Sequence, residues 1–430
     1  METKPDPGPV CSMQGEPLEC FEAWRHRRGP SPRLLLVEFE LQPYWLDSAP
    51  GLPLVALYFQ RGDDLLVGVA EPSAVVRQPT VPGFEEWALE KGVQLVSPGR
   101  VLPLAPLAVP KPWGQEIWYT GVEERGVCGF GGRRASTPIP WLQAVLPNAV
   151  AGVAGEPLVL LKILDPVETE VTGDLYFELH EEKREVYVVT RVDPEAWPDG
   201  VGYIRYGFDP QKLAACGSEA EFRRDYLRAV RDYEAVRRAL DALPDPDERP
   251  LELVEREADL RHRMDGFTHM RPLAAGDVVV VPLLMPHSLQ HGVRTVEFQT
   301  PVYERQILSF AQKVLTQDHW DTSAAVEQMR LLPPDPEPFE QLECAAGVLV
   351  ERVVDFPDFE VRRVSLDAGV LNLEPLADYA LVMVVEGELQ LEGVAYGPEQ
   401  ACLLPRRWAG RLMPHEGLRR LVFLLALPRR

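Results

Sequence analysis

Beyond residue 341 the chain reads VLVERVVDF, FEVRRVSL, YALVMVVEGELQLEG, ACLLPR and RRLVFLLAL. These are apolar runs at roughly regular intervals with turn residues between them, the pattern of strands that close into a sandwich or barrel. The same texture occurs earlier, in RLLLVEFEL from Arg33, LPLVALYF, LLVGVAEP, LVLLKILDP (158–166), LYFELH (175–180) and REVYVVTRV (184–192). It returns in DVVVVPLLMP (277–286), RTVEFQTPVY (294–303) and RQILSF (305–310). Residues 217–241 break the pattern: apolar side chains recur every three or four positions with charges between them, which predicts a helix. Shorter helices are expected over 83–92 and 250–263.

At 430 residues the chain exceeds one ordinary domain. Proline-rich stretches at 102–112 (LPLAPLAVPKP) and 331–341 (LLPPDPEPFEQ) read as a linker and a break, and residues 1–30 as a loose leader. The expected architecture is mainly β. A small α+β module (1–105) precedes a first β-barrel (106–335), which carries a helical insertion at about 210–265, and a second barrel follows (336–430).

A formal net charge of -22 repels phosphate backbones and anionic lipid, which argues against nucleic-acid and membrane-surface partners. No apolar run approaches the ~18 residues of a membrane span. The N-terminal METKPDPGPVCSMQGEP lacks a basic stretch followed by an apolar one, so no secretory signal is expected. The six cysteines form no C-x-x-C pair, which fits reduced thiols in a cytoplasmic protein.

Catalytic metal sites in small barrels use inward-facing His and carboxylate side chains. Glu178 and His180 in FELH alternate on one strand and so share a face. Glu185 follows after EEKR, where a hairpin would bring it beside His180. His287 closes the apolar run VVVVPLLMPH. An acid-x-His pair, a Glu across a turn and a distant His make a four-ligand set. His291, four residues after His287, is expected beside that site or in solvent, and Trp113 in the core.

Several segments, taken in order, resemble the type I phosphomannose isomerase family, a zinc-dependent double-cupin group. KPWGQEIW is similar to that family's opening Trp-Gly segment, LVLLKILDP to its lead-in strand, and LYFELH to its Gln-x-His-Pro strand. KREVYVVTRVD resembles its Lys-x-Glu segment, GYIRYGF (202–208) the strand that follows, and LAAGDVVVVPLLMPHSLQHGVRTVEFQTPVYERQILSF the stretch bearing the last metal His and an active-site Arg. VMVVEGELQLEG with ACLLPRRW is similar to its second cupin. The resemblance covers roughly residues 106–430.

The resemblance implies two cupin jelly rolls and a metal-dependent aldose–ketose isomerase. Its substrate would be a small sugar phosphate, mannose 6-phosphate and fructose 6-phosphate first, interconverted through an enediol. It implies Glu178, His180, Glu185 and His287 as ligands of Zn2+, with Mn2+ or Fe2+ as other candidates. It also implies Lys183 and Arg305 as catalytic residues, with Lys183, and more weakly Arg133 and Arg134, on the substrate. The chain departs from the family where a Glu replaces the amide ligand, in the short loop between His180 and Glu185, in the missing Pro after His180, and at Tyr176, where the family often has Ser. Those departures keep two other readings open: a non-catalytic cupin that binds a sugar or sugar phosphate, and a cupin metalloenzyme of other chemistry such as an oxygenase.

Overall fold

A computed structural model describes residues 9–27, 29, 31–77, 79–132, 135–243, 249–335 and 338–429. The chain folds into two compact units that interleave along the sequence. One comprises Met1–Leu107, Trp118–Leu160 and Phe339–Arg430, the other Ala108–Ile117 and Leu161–Pro338.

The first unit contains a four-stranded sheet in which Val10–Gln14 runs parallel to Arg33–Leu41, followed by Leu52–Arg61 and Asp64–Ala70 in antiparallel order. The expected leader is therefore structured from Val10 onward, as a strand and a helix, Pro17–Arg25. Phe21 and Trp24, three residues apart, share one helix face and are both buried. Phe21 stacks on Tyr58 at 4.6 Å, and the Arg33 guanidinium lies over the Trp24 ring at 4.1 Å. Apolar burial outweighs the polar, proline-rich composition that suggested a loose segment.

A nine-stranded sheet completes this unit. Its order is Ala135–Pro138, Gly129–Gly132, Leu102–Ala105, Ala401–Leu404, Ala380–Glu386, Arg420–Pro428, Phe359–Asp367, Val348–Asp355 and Glu340–Ala345. Val350, Val364, Val382, Val384, Phe423 and Leu425 form its core with Leu389, Leu391 and Leu412 from the small strand pairs. The proline-rich stretch 102–112 is not a linker: Leu102–Ala105 lies inside this sheet and Leu107–Lys111 edges another. Leu102 and Leu104 are buried while Pro103 and Ala105 are less so, a period-two alternation that decides for strand despite the prolines.

The second unit is built on two sheets. Six strands run in the order Val278–Val281, Glu185–Val192, Val293–Gln299, Leu160–Pro166, Gly114–Trp118 and Leu107–Lys111. Five run in the order Thr268–Leu273, Gly202–Phe208, His287–Leu289, Phe177–Leu179 and Gln306–Ser309. Trp113, Tyr176, Tyr187, Ile204, Tyr206, Val279 and Ile307 belong to one apolar cluster that includes residues of both sheets. The helices Glu219–Asp241 and Leu251–Asp265 form as the periodicity predicts, the first capped by Ser218, whose hydroxyl accepts from Glu221 N at 3.2 Å. The first buries Phe222, Tyr226, Val230 and Tyr233, and the second Met264, in one cluster with Phe177, Leu179 and Leu308. Odd-numbered residues of 177–179 thus face the helices, and Glu178 faces the other way.

Two local expectations fail. The segment 181–184 makes no hairpin, because Phe177–Leu179 and Glu185–Val192 belong to different sheets and the connection crosses between them. His287 opens a strand rather than closing one. The apolar run breaks after Val281, at Pro282, which has no N–H to offer, and Leu284 turns the chain at φ 65°. All six cysteines are free thiols. No described helix is long and apolar enough to cross a membrane.

Candidate metal centre

Glu178 pairs in register with His287 across an antiparallel ladder, so both side chains leave the same face of the five-stranded sheet. His180 follows two residues along. Glu185 is the first residue of a strand of the other sheet. Glu178, His180 and His287 each offer a ligand atom within 4.8 Å of the others. Glu185 reaches both imidazoles, with Oε1 3.4 Å from His180 Nε2 and Oε2 3.0 Å from His287 Nε2. His180, Glu185 and His287 are all at most 2% exposed.

Hydrogen bonding sets the tautomers. His180 Nδ1 donates to Glu304 O and His287 Nδ1 to Met285 O, each at 2.9 Å, which turns both Nε2 atoms inward, that of His287 to within 3.0 Å of the Tyr187 hydroxyl. His180 Nε2 and Glu178 Oε2 are buried without a hydrogen-bond partner. Acceptors facing acceptors in a dry interior are costly unless a proton or a cation stands between them. Burial works against a charged His287, yet the hydrogen bond and charge of Glu185 raise its pKa above the ordinary value. Burial and then the Lys183 charge lower that of His180. Burial opposes ionisation of Glu185, but Lys183 and the two histidines hold its carboxyl well below the usual range. Two imidazole nitrogens with carboxylate oxygens suit a borderline divalent ion such as zinc, manganese or iron.

Lys183 and Arg305 flank this group. Lys183 Nζ stands 2.8 Å from Glu185 Oε1, and the residue is only 7% exposed. Arg305 Nη1 lies 3.8 Å from Glu178 Oε2, its guanidinium sits 4.4 Å over the Tyr176 ring, and Nη2 donates to Thr316 Oγ1 at 2.6 Å. His291 is buried rather than in solvent, its Nδ1 on Asp174 Oδ1 at 2.7 Å and its ring stacked on Trp197. Trp113 is buried in the core. Arg133 and Arg134 lie outside the described residues.

No family model matches the chain, and no curated protein matches it in sequence. Solved structures do match. The mannose 6-phosphate isomerase from Bacillus subtilis aligns over 76% of this chain and 99% of its own, at 15% identity and TM-score 0.53. A zinc-bound mannose 6-phosphate isomerase aligns over 77% of this chain and 100% of its own, at 11% identity and TM-score 0.55. A mutant phosphomannose isomerase from Salmonella typhimurium gives 11% identity, the same coverages and TM-score 0.53. The chain shares the fold of the mannose 6-phosphate isomerases. At such identities the likeness concerns the fold.

Sequence reasoning passed over a buried charge network beside the centre. Lys111 Nζ stands 3.1 Å from Glu116 Oε1, and Lys162 Nζ 3.2 Å from Glu297 Oε2 and 3.9 Å from Glu116 Oε2. Burial drives the Glu297 carboxyl well above the usual range, Lys162 opposing and Glu185 adding to the rise. Lys162 is raised in spite of burial, by Glu116 and Glu297. Tyr187 also went unassigned; its hydroxyl donates to Glu185 Oε2 at 2.7 Å. The available signal was a charged residue inside an otherwise apolar strand, as in LVLLKILDP and TVEFQ. Such a residue rarely enters a core without a partner.

Proposed function

We propose that the protein is a metal-dependent aldose–ketose isomerase acting on a sugar phosphate, with mannose 6-phosphate and fructose 6-phosphate as the first pair. The observation that carries this reading is the gathering of Glu178, His180 and His287 ligand atoms within 4.8 Å of one another, with the Glu185 carboxylate against both imidazoles, in a fold shared with mannose 6-phosphate isomerases.

Glu178, His180, Glu185 and His287 would hold the ion. A bound ion would supply a Lewis acid for the sugar oxygens. In the aldose-to-ketose direction a proton leaves C2 and O1 gains one, giving an enediol. C1 then receives a proton and O2 loses one. Arg305, braced by Tyr176 and Thr316, presents a fixed cation to an enediolate oxygen. Lys183 holds Glu185 in its ionised form and offers its remaining N–H bonds to the sugar. Burial of His180, Glu185 and His287 strengthens each of these charges.

The test is isomerisation followed by NMR in deuterated buffer. Zinc-loaded protein is given fructose 6-phosphate, with a chelated control. Chelator-sensitive appearance of mannose 6-phosphate is expected. Deuterium exchange without product would retain the enediol chemistry and reject this sugar. Neither signal, in protein that holds metal, would reject the isomerase in favour of a sugar-binding cupin.

A further inference from the structure

Only Glu181–Arg184 separates His180 from Glu185. This connection crosses from one sheet to the other. The segment 300–304 accepts from three of its four amides. Glu304 Oε2 accepts from Glu181 N at 2.9 Å and Glu182 N at 3.3 Å, while Glu304 O accepts from His180 Nδ1 at 2.9 Å. Thr300 Oγ1 accepts from Arg184 N at 3.1 Å, and Thr300 N donates to Arg184 O at 3.0 Å. The Glu181 carboxylate in turn accepts from the side-chain amides of Gln306 and Gln328.

We propose that Glu304 is a positioning residue for the metal centre. Its carboxylate pins the start of the connection and its carbonyl orients the imidazole, so that one residue sets His180 and, through the connection, Glu185. This inference rests on the metal-centre reading. A carboxylate that accepts two backbone N–H groups makes short, charge-assisted bonds and pre-forms the turn before any ion arrives. Glu304 is only partly buried and belongs to none of the apolar clusters. Its removal therefore takes little packing from the fold, while a four-residue connection has no slack to absorb a lost anchor.

The experiment compares chelator-stripped wild type, Glu304→Ala and Glu304→Gln by titration with Co2+ against a competing chelator, with unfolding of the metal-free proteins measured alongside. Glu304→Ala should weaken metal binding about tenfold or more, the effect typical of groups that orient ligands. Its metal-free unfolding midpoint should move little. Glu304→Gln, whose side-chain carbonyl still accepts both amides, should recover most of the affinity. Equal affinity in Glu304→Ala and wild type overturns the proposal, as does a loss confined to metal-free stability. If Glu304→Ala does not fold, Thr300→Val, which removes the hydroxyl that accepts from the Arg184 amide, must weaken metal binding; unchanged binding there overturns the proposal too. A wild type that takes up no metal overturns the metal-centre reading itself.

Discussion

Lys183 and a bound ion would neutralise the same buried carboxylate, so removing the lysine should tighten metal binding. At 2.8 Å from Glu185 Oε1, an ammonium contributes about 6 kcal/mol of attraction at an effective dielectric near 20. Stripping one partner from a buried pair costs about 3–5 kcal/mol. Lys183→Met keeps the apolar stem and removes the charge, so the metal-free variant should lose roughly 3 kcal/mol or more of folding stability. In the loaded protein the ion compensates Glu185 and the loss should be smaller. Closing the cycle gives a coupling of about 1–3 kcal/mol, or about 5–150-fold tighter metal binding in Lys183→Met. Chelator competition gives the two dissociation constants, and denaturant unfolding with and without metal gives the other two legs. Weaker binding in the variant would refute the reasoning, because Lys183 would then be supporting the ligand geometry rather than competing with the ion. Turnover should fall in the same variant if Lys183 also contacts the sugar.

His180→Ala or His287→Ala should abolish stoichiometric metal, measured by elemental analysis after dialysis; full occupancy in either removes that residue from the ligand set. Glu360 accepts from Arg362 Nε at 2.5 Å, Arg352 Nε at 3.1 Å and Arg429 Nη2 at 2.9 Å. Burial opposes the shift, yet these arginines bring its carboxyl down from 4.5 to about 2. A depressed folded pKa adds stability above the unfolded value and loses it as pH falls towards 2. The gap in denaturant midpoint between wild type and Glu360→Gln should therefore be full at pH 6 and shrink from pH 4.5 to 2. A gap that stays constant would mean the arginines do not act through the charge of Glu360.

How much of this was legible depended on whether the signal was local. The helix at 219–241 announced itself through spacing, since one face must meet the core at every turn. The inward set at 178, 180, 185 and 287 was legible as residue types at strand spacing, and those side chains do converge. The route to convergence was misread: the local sequence suggested a hairpin at 181–184, but sheet membership depends on partners more than a hundred residues away. Residues 10–25 and 102–111 were misread because proline and polar composition spoke louder than Phe21, Trp24, Leu102 and Leu104. Glu297 and Lys162 were hidden for a different reason, because a charge in an apolar strand looks like noise until its counter-charge is found across the sheet.

The position of Leu102–Ala105 between Gly129–Gly132 and Ala401–Leu404 bears on how the chain comes off the ribosome. Roughly 300 residues separate Leu102 from its partner Leu403. At about 5–20 residues per second, the early strand waits some 15–60 s for that neighbour to be made. Through that interval one edge of the strand stands open, an invitation to mispairing with other nascent chains. Pro103 blunts it, since a residue without N–H cannot extend a foreign ladder at its own position. Removing the first hundred or so residues as a dispensable module would cut next to this strand, or through it, and expose Ala401–Leu404 as a new edge. Solubility on truncation should drop sharply between a start at residue 98 and a start at residue 106.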